Sequence, residues 1–260
     1  MGYVERVGAR TIARVKSILY GLGFMVEVVR QTAKTLIRRK AINRVLTMQI
    51  LFTGVEALTI IATISLSIGA VIVIQGLSIL PQFGQGQFIY SILIIVITRE
   101  LGPILTALIV AARSGTAIAT ELGNMVIGHE VEAYSVTGIN PVQQLVVPRF
   151  LGVTVSTFIL NLYFNLFGLV GTFVVTQFVN PIRLQEYFGG LLASLSINDV
   201  LSSTLKSLLF GAIIAIVATY HGLRVERSST EIPVAAIKSV AHGIMLTIVA
   251  NAVVTLVYYI

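Results

Sequence analysis

The chain has 260 residues, of which 56% are hydrophobic and only 11% are charged, and its mean hydropathy is +0.93. These values exclude an ordinary soluble domain and indicate a protein with several membrane spans. The net charge of +7 is concentrated near the N-terminus, which favours anionic lipid over nucleic acid as its partner. Because there is no cysteine, disulfides and Cys-ligated metal sites are excluded.

The first 50 residues form a basic segment with helical periodicity. Apolar residues recur at steps of three, four, seven or eight, at Val4, Val7, Val15, Ile18, Leu22, Met25 and Val29. Basic residues lie between them, which predicts an amphipathic helix in the membrane interface with its Lys and Arg near lipid phosphates. A soluble helical hairpin is the alternative. Because a continuous apolar core is missing from this segment, we expect no cleaved secretory signal.

Five later stretches are apolar and long enough to cross a bilayer as helices. They cover residues 54–80, 87–112, 148–177, 204–221 and 236–260. The predicted fold is therefore an all-α membrane protein with five transmembrane helices preceded by the amphipathic interfacial helix. In this division, residues 1–50 are the interfacial segment and residues 51–260 are the membrane domain.

The distribution of Lys and Arg predicts the orientation. Ten of the 18 Lys and Arg residues precede the first span, whereas the connections 81–86 and 178–203 carry only Arg183. The positive-inside rule then places the N-terminus and the connections 113–147 and 222–235 in the cytoplasm. With five spans, the C-terminus is expected on the outer side.

The second predicted span contains the sequence RELGP, which places Arg99 and Glu100 in its middle. Each charge at that depth costs about 2.5–3.5 kcal/mol. Neighbours on a helix point about 100° apart, so each is expected to need a partner on another helix, or water. Pro103 leaves the carbonyl of Arg99 without its usual donor, and Gly102 permits close approach. The pair either ties helices together or lines a substrate chamber, with Arg99 facing an anionic head group.

The remaining spans carry polar or small residues at helical spacing. They are Thr157, Asn161, Asn165, Gly168 and Thr172 in the third span, Gly211, Ala215 and Thr219 in the fourth, and Ser239, Gly243, Thr247, Asn251 and Thr255 in the fifth. We expect these ridges to be packing faces rather than substrate contacts. In the first span, Ile72, Gln75, Ile79 and Phe83 form a stripe that is either lipid-facing or a chamber wall for acyl chains.

The connection between the second and third spans contains a moderately polar segment of helical length, bounded by Gly128 and Gly138 and followed by Asn140 and Pro141. A short helix here is a docking surface for a cytoplasmic partner or an ordinary connection. His129 and Glu130 begin like a zinc motif, but Ala133 removes the second histidine, so no metal site is predicted. The sequence has no P-loop, so any use of ATP requires a partner.

Two blocks of sequence resemble one known family. RELGPILTALIVAARSGTAIATELGNM and HEVEAYSVTGINPVQQLVVPRFLG are similar to the MlaE (YrbE) family of ABC-transporter permeases. The resemblance implies a homodimeric inner-membrane subunit that moves phospholipid between the inner and outer membranes of diderm bacteria. It implies a cytoplasmic ATPase, a periplasmic MCE-domain protein and, in some systems, a STAS-domain protein. The chain itself would be neither an enzyme nor a cofactor-binding protein, because the partner binds ATP.

The resemblance also assigns residues. Residues 129–139 would be the coupling helix in the ATPase groove, with contacts from His129, Glu130, Val131, Glu132, Ala133, Tyr134, Val136 and Gly138. Arg99, Glu100 and Leu101 match the family's motif. Helical phase, rather than the resemblance, adds Ile72, Gln75, Ile79 and Phe83 as candidate lipid contacts, with Ile72, Ile79 and Phe83 as walls for acyl chains. Val126 departs from the family's usual basic residue, and His129-Glu130-Val131 replaces its usual polar triplet. The alternative functions are a stand-alone secondary transporter or channel subunit and an intramembrane enzyme, for which no catalytic constellation is present.

Overall fold

A computed structural model describes residues 3–37, 44–79, 88–179, 181–226 and 228–259. These ranges are almost entirely helical and contain no strand. In chain order the helices are α1 (Tyr3–Ile37), α2 (Arg44–Ile79), α3 (Phe88–Ile127), α4 (Glu130–Val136), α5 (Val142–Phe178), α6 (Leu184–Ser194), α7 (Ile197–Gly222) and α8 (Glu231–Tyr259). The helix α3 contains two π-helical segments, Ile94–Leu101 and Ala111–Gly115.

Five of these helices, α2, α3, α5, α7 and α8, are long and apolar enough to cross a membrane. The predicted fold class, all-α with five spanning helices, is confirmed. The helix α1 precedes them and exposes the apolar side chains of Leu19, Leu22, Met25, Val26 and Val29. This exposed face fits the predicted amphipathic character of the N-terminal segment.

The ends of two spanning helices correct the predicted boundaries. The helix α2 begins at Arg44, so residues 44–50 are continuous with the first span rather than part of the interfacial segment. The helix α3 continues to Ile127, beyond the predicted end at residue 112. Arg113 remains inside the bundle because it forms an ion pair with Glu56 and donates to the carbonyl oxygen of Phe52 at 3.1 Å.

The core lies along α5 and α7. The helix α5 packs against α2 and α7, and α7 also packs against α8. A Cβ atom on Gly211 of α7 would lie 2.8 Å from Cα of Thr154 on α5, so the two backbones approach closely. Gly211, Ala215 and Thr219 are all buried, which confirms the predicted packing face of the fourth span.

The bundle has two ends that chain connectivity defines. We call them the α4 end, where α3, α4 and α5 connect, and the α6 end, where α5, α6 and α7 connect. At the α6 end, the hydroxyl of Tyr187 donates to the carbonyl oxygen of Leu169 at 2.9 Å, and its ring lies against Tyr90, Phe173 and Phe188. Burial raises the pKa of Tyr187, which keeps this donor protonated.

Candidate functional site: a charged cluster among three spanning helices

The backbone of α3 is irregular where RELGP begins. The segment Ile94–Leu101 is π-helical, and the N–H of Gly102 bonds to the carbonyl oxygen of Ile97, five residues earlier. Pro103 has no N–H to donate to the carbonyl of Arg99. A π-helical turn at this position leaves backbone acceptors available to other groups, and one of them is used by a side chain from α7.

Lys206 of α7 supplies the missing donor. Its Nζ donates to the carbonyl oxygen of Arg99 at 3.2 Å, to Oε2 of Glu100 at 2.8 Å and to Oγ1 of Thr255 at 2.9 Å. A lysine ammonium has three N–H donors, and three acceptors surround it here. The side chain of Lys206 is fully buried. The three contacts offset the desolvation of its charge.

Arg99 points towards the start of α7 and the end of α8. Its Nη1 lies 3.5 Å from Oδ1 of Asp199, and the guanidinium carbon lies 4.1 Å from the ring centroid of Tyr258. Tyr258 also donates its hydroxyl to Oδ1 of Asp199 at 3.5 Å. Asp199 closes a capping box with Ser196 at the first turn of α7. One carboxylate therefore stabilises the helix N-terminus and faces Arg99.

Glu100 connects α3 to both neighbouring helices. Besides Lys206, its carboxylate accepts from Nδ2 of Asn251 and from Oγ1 of Thr255, each at 3.4 Å. Arg99 Nε also lies 3.8 Å from Oε1 of Glu100. This contact between sequence neighbours is longer than a hydrogen bond, so each charge depends on further partners. The expectation of partners on other helices is confirmed.

Two cations and two anions balance each other in this cluster, which we call the charged cluster: Arg99, Glu100, Asp199 and Lys206. The side chains of Lys206, Arg99 and Asp199 are 0%, 7% and 9% exposed, whereas that of Glu100 is 30% exposed. The formal charges cancel, and the attraction between them offsets part of the desolvation cost of burying them. The exposure difference shows that the cluster opens to its surroundings at Glu100.

The charged cluster lies nearer the α6 end than the centre of the bundle. Asp199 is in the first turn of α7, and Tyr258 is in the last turn of α8. Arg99 is the twelfth of the 40 residues of α3, because this helix extends fifteen residues past the predicted end of the span at 112. The site is thus displaced from the end that carries α4.

Gly102 fixes the distance between the cluster and α5. A Cβ atom at this position would lie 2.7 Å from Oδ1 of Asn165, 2.9 Å from Oδ1 of Asn161 and 2.7 Å from the carbonyl oxygen of Ile97. Asn161 in turn donates to Oγ of Ser203 on α7 at 2.9 Å. The predicted close approach at Gly102 is therefore confirmed, and the polar ridge of the third span faces the interior.

The predicted acyl-chain wall is separate from these contacts. Gln75 and Ile79 are exposed and Ile72 is half-buried on α2, whereas the partners of the charged cluster come from α7 and α8. Leu101 is half-buried beside Glu100. Phe83 lies outside the described residues. The structure thus brings Arg99 and Glu100 together but shows no contact, within the described ranges, between them and the α2 stripe.

The segment predicted to dock a partner forms a short exposed helix. His129 precedes α4 in a left-handed conformation with φ of 58°, and Gly138 follows it with φ of 76°. Val131 and Tyr134 pack against the core. The other predicted contacts are exposed: His129, Glu130, Glu132, Ala133, Val136 and Gly138. Val136 is 88% exposed, although two half-buried side chains of the same helix pack against the core.

Sequence reasoning did not identify three members of the site. Lys206 could have been recognised from the sequence, because it is a lysine inside the predicted fourth span. Asp199 fell in a predicted connection, and Tyr258 fell at the end of the fifth span. Their roles depend on pairings across roughly 60 to 160 positions of sequence, and helical periodicity carries no information about such pairings.

Five spanning helices around a buried, charge-balanced cluster define a multi-pass membrane protein. The family model described as Permease MlaE matches residues 46–257, and the chain therefore belongs to the MlaE permease family. A member of this family is a transport subunit rather than an enzyme.

Three relatives illustrate the similarity. A probable ABC transporter permease protein of Rickettsia typhi is 28% identical over 207 residues, or 80% of each chain. The intermembrane phospholipid transport system permease protein MlaE of Haemophilus influenzae is 25% identical over 79% of each chain. The chloroplastic protein TRIGALACTOSYLDIACYLGLYCEROL 1 of Arabidopsis thaliana is 28% identical over 66% of this chain and 49% of its own length.

Proposed function

We propose that this chain is the permease subunit of an ABC transporter that moves phospholipids between the inner and outer membranes. The observation that carries the proposal is the charged cluster, a set of ionisable side chains inside a span bundle. Such residues in spans are functional by default. The name of the Haemophilus influenzae relative supports phospholipid as the substrate.

The cluster suits a phospholipid head group because its three ion pairs differ in length. Lys206 and Glu100 are 2.8 Å apart, whereas Arg99 lies 3.5 and 3.8 Å from its two carboxylates. Charge-assisted hydrogen bonds are usually 2.7–2.9 Å. A lipid phosphate can therefore compete for Arg99 while Lys206 and Glu100 hold the helices together. Leu101 and the α2 residues Ile72, Gln75 and Ile79 would then contact the acyl chains.

The partial exposure of Glu100 supports a homodimer. A carboxylate that faces hydrocarbon is costly, so Glu100 requires water or protein around it. A second copy of the chain would enclose this side chain in a shared, hydrated chamber. The lipid would bind in that chamber, at the dimer interface.

The helix α4 is the proposed site of coupling to a cytoplasmic ABC ATPase. Val131 and Tyr134 anchor it to the core, so a force on its exposed face is transmitted to α3 and α5. ATP binding and hydrolysis in the partner would switch the spans between two packings. In this proposal the N-terminus and α4 are in the cytoplasm and the C-terminus is in the periplasm, where an MCE-domain protein would bind. A STAS-domain protein is a further cytoplasmic partner in the family.

Reconstitution of the purified complex in liposomes tests this function. We expect fluorescent phospholipid to reach acceptor vesicles only with ATP and the ATPase subunit. Glu100→Lys should stop this movement and leave membrane insertion largely intact, whereas Glu186→Lys, at an exposed position of α6, should retain it. Normal transport by Glu100→Lys would remove the site assignment.

The alternative is a stand-alone secondary transporter or channel subunit. It requires an ion or proton path through the spans, but the carboxylate of Glu100 is already engaged by Nζ of Lys206 at 2.8 Å. Lipid or ion movement by the chain alone, without an ATPase, would favour this alternative over the ABC function.

A further inference from the structure

A cavity lies at the α4 end, away from the charged cluster. Its volume is about 900 Å³, and it is an open cleft bordered by α1, α7, α8 and the connection between α7 and α8. The helix α1 forms one wall because Tyr20 and Phe24 pack against the ring of Tyr220, with centroids 6.1 and 5.9 Å apart. Leu22 and Met25 of α1 line the cavity.

The lining changes from apolar to cationic along both spanning helices. On the α7 side the lining residues towards the α4 end are Val217, His221 and Arg224, of which Arg224 lies just after the end of α7. On α8 they are Leu246, His242 and Lys238. The two helices are antiparallel, so each level of the cavity receives one residue from each helix. The histidine rings stack with centroids 5.0 Å apart, which shows that the middle levels face each other.

We propose that this cavity binds one phospholipid, with its phosphate between Arg224 and Lys238 and its acyl chains against α1. The three levels match the three parts of the ligand: apolar residues for acyl chains, imidazoles for the ester groups, and cations for the phosphate. The cavity has a basic amphipathic helix as its outer wall, and such helices lie at the depth of lipid head groups. The bound lipid would hold α1 against the bundle, and this role does not depend on the proposed transport function.

Carboxylates at the mouth of the cavity select the head group. Glu226 and Glu231 lie on the cationic level, and Oε2 of Glu231 accepts the backbone N–H of Glu226 at 2.9 Å. A head group with an ammonium group can pair with these carboxylates, whereas a head group with only negative charge meets repulsion. Phosphatidylethanolamine should therefore bind better than phosphatidylglycerol.

Photo-crosslinking of the full-length purified protein tests the proposal. The probe is phosphatidylethanolamine with a diazirine in one acyl chain, followed by mass spectrometry of the labelled peptides. We expect labelling near Leu22 and Met25 of α1 and near Val217 of α7. The double variant Arg224→Gln/Lys238→Gln should bind the probe about tenfold more weakly, because it loses two charge-assisted contacts.

Matched variants separate this site from other lipid contacts. Arg183→Gln removes an exposed cation at the α6 end and should label like the parent protein. Met25→Trp fills the apolar part of the cavity without changing a charge, and it should also lose labelling while the protein remains folded by thermal unfolding.

Three results would overturn the proposal. They are unchanged labelling in the Arg224→Gln/Lys238→Gln protein, stronger competition by phosphatidylglycerol than by phosphatidylethanolamine, and displacement of the probe by inorganic phosphate alone. The last result would identify a site for free anions rather than for a lipid.

Discussion

Lys206 and Glu100 lie 2.8 Å apart although 106 positions of sequence separate them, and the same ammonium group binds the carbonyl oxygen that Pro103 leaves open. The ammonium group of Lys206 thus contacts both a carboxylate and a backbone carbonyl of α3. The proline creates an acceptor in α3, and the lysine on α7 satisfies it together with the carboxylate of the neighbouring residue. These contacts fix the position of α3 relative to α7 along the bundle.

Lys206→Met should destabilise the folded protein by about 3 kcal/mol, at the low end of the cost of breaking a buried ion pair. The reason is that Glu100 and the carbonyl of Arg99 both lose their donor, although Glu100 keeps some access to its surroundings. Thermal unfolding in a mild detergent measures the effect. A melting temperature equal to that of the parent protein would show that the pair is not buried as described.

Gly102→Ala should destabilise the bundle by about 1–3 kcal/mol through overpacking. The new methyl group would lie 2.7 Å from both Oδ1 of Asn165 and the carbonyl oxygen of Ile97. Gly243→Ala is the matched control, because a Cβ atom there meets no atom within 4 Å. Thermal unfolding of the two variants should give opposite results, since alanine is the better helix former. Equal melting temperatures would contradict the close approach at Gly102.

Asp199→Asn separates helix capping from ion pairing. Asparagine keeps an oxygen that can accept the N–H of Ser196 but loses the charge that faces Arg99. We expect a transport defect together with a loss of stability, because the buried guanidinium of Arg99 loses its carboxylate partner at 3.5 Å. Ser196→Ala should lose about 1 kcal/mol from the missing cap and retain transport. If both variants transport equally well, the role of Asp199 is limited to capping the N-terminus of α7.

Tyr258→Leu should cost about 1–2 kcal/mol, since the ring over the Arg99 guanidinium is lost. Tyr258→Phe keeps the ring 4.1 Å from the guanidinium carbon and loses only the long hydroxyl contact to Asp199, so its stability should stay close to that of the parent. Chemical or thermal unfolding in detergent distinguishes the two. A greater loss in the phenylalanine variant would show that the hydroxyl, rather than the ring, holds Arg99.

Val136→Asp should reduce recovery of the ATPase with the permease about tenfold, as expected for an apolar contact at the centre of an interface. The protein itself should remain stable because Val136 is exposed. Leu192→Asp is the control, since Leu192 is an equally apolar and exposed residue at the α6 end. Undiminished recovery of the ATPase with the Val136 variant would place the coupling surface elsewhere.

The sequence was sufficient for those features that have a local physical cause. A charge pair, a proline and a glycine within five residues predicted an open carbonyl, a close approach and partners on other helices, and the structure contains all three. The length of α3 was not predictable in this way. Arg113 looked like the end of a span because its partner, Glu56, lies on another helix. For the same reason, Asp199 and Tyr258 had no recognisable role until the helices were placed together.

The most direct test of the central claim is the transport rate of the double variant Glu100→Gln/Lys206→Met. Removal of both charges leaves neither partner unpaired, so the double variant should be more stable than Lys206→Met alone. If the charged cluster is part of the lipid site, ATP-dependent phospholipid movement should nevertheless remain at least about tenfold below that of the parent protein. A stable double variant that transports phospholipid at the parent rate would show that the cluster only ties helices together.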